Sequence, residues 1–322
     1  MKKDKKFSGY SGFVSNDESL LITMSRNTVY VNSLITKKLL LKTKSVKNID
    51  MVTISPDNSL IAAKSTIGEI ALINAKTGEE ICMDRMEKSQ GELMYFTSDS
   101  SRIVDLDWNG KVMLFDCAAK THSILDDSKI LERCAYIQYD PFSNRIYRFM
   151  AEHFGNSPGI VQVAIPDEKF LDKEHFKYTT AQTFTTHLPS CVPHHPSLCK
   201  EHNFWYDVRA DKIIVCDKDF KEIDSFKNPP SKSKKEFFSD FWVSPDENYL
   251  FIDYGKQCDP GTSNVEYDNI PSLSVLYDLK TLKPLKEFSY DYVSDFTMYN
   301  DDKNYIIGTW RGTFVGEVDS TE

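Results

Sequence analysis

Cysteine and histidine crowd one stretch of this 322-residue chain, Cys191-x-x-His194-His195-x-x-x-Cys199-x-x-His202. Four of the seven histidines fall between His187 and His202. Thiolate and imidazole suit Zn²⁺, and Cys191, His194, Cys199 and His202 would make a closed structural set of four. The spacing C-x2-H-x4-C-x2-H matches no common finger, and a metal held there would pin a loop rather than catalyse. A second chemical stretch is basic, running from Lys227 through Lys232 and Lys234 to Lys235. It has the composition of an acidic-partner dock or a localisation signal, or more plainly of a solvated loop. The chain has no G-x-x-x-x-G-K-[ST], G-x-G-x-x-G or H-E-x-x-H. Phosphate cradles are therefore unsupported, and no cofactor is expected.

Bulk composition narrows the class. The net charge is −9, where a general nucleic-acid binder is usually basic, so no nucleic-acid partner is expected. With 40% apolar and 27% charged residues the composition is globular. No apolar run approaches the roughly 18 residues of a membrane-spanning helix, so no membrane partner is expected either. The seven cysteines are odd in number, irregularly spaced and without a C-x-x-C pair. The basic N-terminus lacks the apolar segment of a secretory leader. Free thiols acting as small core residues in a reducing, cytoplasmic setting are the expectation.

These residues need elements to hold them, and a repeat supplies the elements. A turn of the type Ser/Asn-Pro/Asp-Asp, followed by an apolar run, recurs along the chain. It appears as Ser15-Asn16-Asp17, Ser55-Pro56-Asp57, Thr97-Ser98-Asp99, Tyr139-Asp140-Pro141, Ser244-Pro245-Asp246 and Asn300-Asp301-Asp302. Asp17, Asp57, Asp99 and Asp140 stand 40, 42 and 41 residues apart. The 106 residues from Asp140 to Asp246 hold a degenerate copy, in which the turn is read as His194-His195-Pro196 ahead of HNFWYDV. That is the plainer account of the Cys/His stretch. Seven copies with short runs rich in Val, Ile, Tyr and Phe predict an all-β, seven-bladed β-propeller of four-stranded blades. In the second copy the strands read as Met51–Ile54, Leu60–Ala63, Ile70–Ile73 and Glu79–Cys82.

The end of each third strand resembles the Trp-Asp position of WD40-like repeats with Trp replaced: Phe115-Asp116, Cys216-Asp217, Tyr277-Asp278 and Val318-Asp319. The first two copies have Val31-Asn32 and Ile73-Asn74, and the fourth, Val163-Ala164, departs altogether. No copy carries an actual Trp-Asp or the preceding Gly-His pair. The seventh copy ends after its third strand, and Lys5–Tyr10 is placed to supply the fourth, closing residues 1–322 as a single domain. The fold implies that B–C and D–A loops share a face. That face would carry Arg26, Trp108, Trp310 and Arg311, residue types enriched at binding hot spots. The resemblance implies a non-enzymatic scaffold or adaptor for a protein or peptide. The alternative is a propeller-type hydrolase, such as a lactonase, acting at a central channel, with His187, Arg209 and Asp107 as first suspects. In the fourth copy, Phe170, Phe176 and Tyr178 are expected to cover the outer edge.

Overall fold

Strands covered on both faces read as continuous apolar runs rather than as strict alternation, and runs of that kind recur through this sequence. The computed structural model describes residues 4–85, 91–107, 111–127, 134–151, 159–184, 196–207, 210–230, 236–256, 272–290 and 293–318. Its strands group by fours. Blade one is β2 (Tyr10–Val14), β3 (Leu20–Ser25), β4 (Thr28–Ser33) and β5 (Leu39–Lys44), after β1 (Lys5–Phe7). Blade two is β6 (Ile49–Ile54), β7 (Leu60–Ser65), β8 (Glu69–Asn74) and β9 (Glu80–Arg85). Blade three is β10 (Gly91–Phe96), β11 (Arg102–Asp107), β12 (Val112–Asp116) and β13 (Thr121–Asp126). Blade four is β14 (Cys134–Asp140), β15 (Arg145–Ala151), β16 (Gly159–Ala164) and β17 (Thr179–Phe184). Blade five is β18 (Ser197–Leu198), β19 (Asn203–Asp207), β20 (Lys212–Cys216) and β21 (Glu222–Lys227). Blade six is β22 (Glu236–Val243), β23 (Tyr249–Lys256), β24 (Ser272–Asp278) and β25 (Pro284–Tyr290). Blade seven is β26 (Val293–Tyr299), β27 (Asn304–Thr309) and β28 (Gly312–Glu317), completed by β1 in the order β1-β28-β27-β26. The fold is an all-β, seven-bladed β-propeller closed by its N-terminal strand.

Blades one to four form one compact unit, and blades five to seven with Lys5 and Lys6 form another. Within the first unit, β7 shows how the core is built. Ile61 and Ala63 pack with Ile22, Val29 and Val52 on one side, while Ala62 packs with Met94 and Phe115 on the other. Successive side chains point to opposite faces, and a neighbouring blade lies against each. Within the second unit, Phe251 of β23 stacks on Phe296 of β26 at 4.2 Å.

The repeated turns share one hydrogen-bond scheme. In blade two, Ser55 Oγ donates to Asp57 Oδ1 (2.6 Å), Ser59 N–H donates to the same oxygen (3.0 Å), and Leu60 N–H donates to Ser55 Oγ (2.9 Å). Ser15/Asp17 and Thr97/Asp99 repeat it. The Ser15 and Thr97 hydroxyls are the main cause that lowers the Asp17 and Asp99 carboxyls to about 2. Blade six differs, because Ser244 Oγ donates to Asp302 of blade seven (2.6 Å) instead of to Asp246. At the C–D turn of each of three blades, on the same end as the A–B turn, the aspartate that ends or follows the third strand caps the backbone. Asp116 accepts from Ala118 and Ala119, Asp217 from Asp219 and Lys221, and Asp278 from Thr281.

Three expectations shift. Tyr10 belongs to β2, so only Lys5–Phe7 of the N-terminal segment joins blade seven. Gly9 (φ 90°) turns the chain between them, where a Cβ would stand 2.8 Å from Met24 O. In blade five the turn is Cys199–His202, closed by Cys199 N–H to His202 O (3.1 Å), and not His194-His195-Pro196. Lacking an aspartate of its own, this turn borrows Glu247 of blade six, which accepts from Glu201 N–H (3.0 Å) and His202 N–H (2.7 Å). In blade four Phe176 is buried and meets Tyr178 edge-on at 5.4 Å, as expected, but Phe170 is 55% exposed.

Candidate interaction site

Two-residue hairpin tips hold Arg26, Trp310 and Arg311 of the predicted contact residues. Thr309 and Gly312 pair across β27 and β28, leaving Trp310 and Arg311 as the loop. Thr309 Oγ1 fixes it, donating to Gly312 O (2.8 Å) and accepting from Arg311 N–H (3.2 Å). Gly312 sits at φ 142°, a value that favours glycine. Trp310 is 65% exposed and Arg311 is also exposed. A rigid loop thus presents an indole beside a guanidinium, so little further ordering of the backbone is needed on binding.

In the other unit, Ser25 and Thr28 pair and leave Arg26-Asn27 as the loop. Exposed Arg26 lies at φ 54°. Its carbonyl accepts from Ile49 N–H (2.6 Å), and Asn27 O accepts from Ser45 N–H (2.9 Å). Thr66 N–H of the next B–C turn donates to Asn48 O (3.0 Å). In blades one and two, therefore, the B–C turns and the intervening D–A loop stand at one end and are tied together by backbone hydrogen bonds. Trp108 lies outside the described residues.

The Cys/His stretch divides. Cys191 and His194 lie outside the described residues. Cys199 is fully buried, its thiol donating to Val243 O (3.6 Å), while His202 Nδ1 pairs with Glu247 Oε2 at 2.7 Å. Both described members thus have partners of another kind. Among the described residues, no group of three or more His, Cys, Asp or Glu could hold a metal ion. His187 and Arg209 lie outside the described residues, and Asp107 ends β11 opposite Gly91. Cys82, Cys117, Cys199 and Cys216 are in no disulfide, and burial pushes Cys117 and Cys216 up to about 12, which leaves them as protonated packing groups.

Residue spacing alone does not single out three carboxylates in the second unit. Asp240 of β22 stands directly across from Asp253 of β23, next to a register shift on β22. Asp295 of β26 follows an equivalent shift in blade seven. Asp253 is buried and accepts from Ser274 Oγ (2.6 Å). Burial, helped by the charges of Asp253 and Asp295, raises Asp240 to about 8, and burial alone raises Asp295 to about 6. Opposed carboxylates of this kind retain a proton near neutrality and can donate or accept it. A signal for them does exist in the sequence, because Ser-Asp-Phe occurs at both places, Ser239-Asp240-Phe241 and Ser294-Asp295-Phe296.

In the first unit a cleft of about 710 Å³ lies between the A–B turn of blade three and the 166–169 excursion. There Glu168 accepts from Ser98 N–H (3.0 Å), and Arg102 donates to the Glu168 carbonyl. No helix among the described residues is long and apolar enough to cross a membrane. No protein-family model matches this chain, and no curated protein is significantly similar to it.

Proposed function

We propose that this chain is a WD40-like, non-enzymatic interaction module that binds a protein or peptide partner through its B–C hairpin tips. Trp310 and Arg311 are the principal contacts, and Arg26 is a further one. The observation that carries the reading is the 65% exposure of Trp310 on a hairpin whose backbone is already fixed by Thr309 and Gly312. Large aromatics and arginine contribute most at interfaces when the element presenting them is rigid. The aspartate caps after strand C support the WD40-like assignment. The free thiols support a cytoplasmic setting, and β1 beside β28 supports treating residues 1–322 as one domain.

The test is affinity capture with mass spectrometry, run in parallel on wild type and on Trp310→Ala/Arg311→Ala. Partners recovered by the wild type should be lost or strongly depleted with the double variant, while the melting temperature moves by less than about 2 °C. Identical partner sets from both proteins would remove the hairpin from consideration.

A further inference from the structure

Blade one carries a charge opposite to that of the whole chain. Between Glu18 and Asp50 there is no carboxylate, yet Arg26, Lys37, Lys38, Lys42, Lys44 and Lys47 all occur there, in a protein of net charge −9. Four of those lysines border or lie in β5, which ends its sheet in the order β2-β3-β4-β5. The outer edge of a terminal strand presents backbone N–H and C=O groups that its single neighbour does not use.

The side chains of β5 divide by face. Leu41 and Thr43 turn toward blade two, where Thr43 Oγ1 donates to Gly78 O (2.8 Å). Leu40, Lys42 and Lys44 are exposed on the other face. Leu40 has no partner across the sheet, because the register runs from Val31↔Leu41 to Asn32↔Leu39. It is 58% exposed, Leu39 is 52% exposed, and Ile35 in the preceding turn is 78% exposed. Lys42 rests its ammonium 5.6 Å from the Tyr30 ring centroid, which holds that charge over the same blade.

Lysines on an edge strand repel a second basic edge and so oppose pairing of β5 with its own copy. They attract a strand of opposite sign, and the leucines beside them need apolar cover. We infer that the outer edge of β5 receives an extended acidic peptide segment as a fifth strand. On the face shared with Leu40, Lys42 and Lys44, that peptide places an apolar side chain against Leu40. Carboxylates two and four residues along meet Lys42 and Lys44. Backbone pairing supplies affinity and the side-chain pattern supplies selectivity, as in other strand-addition complexes. This surface is a sheet edge, separate from the hairpin tips, and it does not depend on the proposed role of Trp310.

Random peptides displayed on phage, selected against the full chain, test the inference. Recovered peptides are then measured by fluorescence anisotropy against wild type, Lys42→Glu/Lys44→Glu, Lys42→Gln/Lys44→Gln and Trp310→Ala. The expected peptides carry one apolar and two acidic residues at alternate positions. Their Kd should rise about tenfold or more with the glutamate variant and less with the glutamine variant, and should be unchanged with Trp310→Ala. Proline at alternate positions of the peptide should abolish binding, because it removes the pairing N–H groups. Three outcomes would overturn the inference: recovered peptides without acidic bias, full affinity of the glutamate variant, or proline-substituted peptides that bind as well. Sedimentation with phosphatidylserine vesicles that the glutamate variant abolishes and no acidic peptide competes with would assign the edge to a lipid surface instead.

Discussion

Gly316 is the position at which the closing strand is most exposed to a single methyl group. It lies in β28, between β27 and β1. A Cβ built there would stand 2.2 Å from Tyr305 Oη, 2.3 Å from Tyr305 Cζ and 2.7 Å from Asp4 Oδ1. Tyr305 is fully buried, so its ring has nowhere to go. Its hydroxyl also anchors the N-terminus, donating to Asp4 Oδ1 (2.7 Å) while Lys286 Nζ donates to it (2.5 Å). Tyr290 donates to the other oxygen of Asp4, and the Lys286 ammonium lies 3.6 Å from the Asp4 carboxylate. Overpacking a filled core site costs about 1–3 kcal/mol. Loss of a hydrogen bond to a charged group adds about 1.5–3 kcal/mol. Gly316→Ala should therefore destabilise the protein by about 3–5 kcal/mol. For a chain of this length that lowers the melting temperature by about 4–8 °C. Hydrogen exchange should locate the damage, with protection lost first at Lys5–Phe7 and Gly312–Glu317. Circular dichroism melting gives the total. A variant that melts within about 1 °C of wild type, with β1 still protected, would refute the claim that Gly316, Tyr305 and Asp4 lock the closing strand.

Three further outcomes concern buried and capping charges. The Asp17, Asp57 and Asp99 carboxyls are lowered from their ordinary 3.8 chiefly by the Ser15, Ser55 and Thr97 hydroxyls. The stability they contribute is present above about 3.8 and is lost as pH falls toward 2. The melting temperature should accordingly drop between pH 4 and 2, and Asp→Asn at all three positions should flatten that limb. Asp240 has the opposite sign. Its raised value means the folded state holds a proton that the unfolded chain releases, so stability falls as pH rises from about 4 to 8. Asp240→Asn should raise the melting temperature by at least about 2 °C at pH 8 and leave it almost unchanged at pH 4. Lys64 and Asp105 form a fully buried ion pair at 2.5 Å. Lys64→Met should cost about 3–5 kcal/mol by stranding a buried carboxylate, and adding Asp105→Leu should recover much of the loss in urea unfolding.

The blades were legible because their turns are written in a few short polar residues whose chemistry is local. Ser55, Asp57 and Ser59 satisfy one another within five residues, so the same letters produce the same turn wherever they recur. The fourth strand of blade seven was legible for a related reason. Lys5–Phe7 precedes the first four-stranded copy, and β1 pairs with β28. Blade five was misread because its turn draws its carboxylate from elsewhere. Glu247 serves it from blade six, 46 residues after Glu201, so no spacing within the copy could reveal the turn.

The candidate site was legible only in part, for a physical reason that separates its two kinds of residue. Trp310 and Arg311 lie on a hairpin, where strand endings read from the sequence already show which side chains stand clear of the sheet. Asp240, Asp253 and Asp295 owe their chemistry to what surrounds them. A carboxylate becomes a proton holder when other chain segments exclude water and place a second charge opposite, and strand register settles both. The basic edge of β5 lies between these cases. Its lysines and leucines are plain in the sequence, but the bulge that leaves Leu40 without a partner on β4 is not. Had β4 and β5 kept an unbroken register, alternation would have placed Leu40 opposite a residue of β4 like its neighbours. The bulge is therefore the feature that turns a charge pattern into a shaped surface.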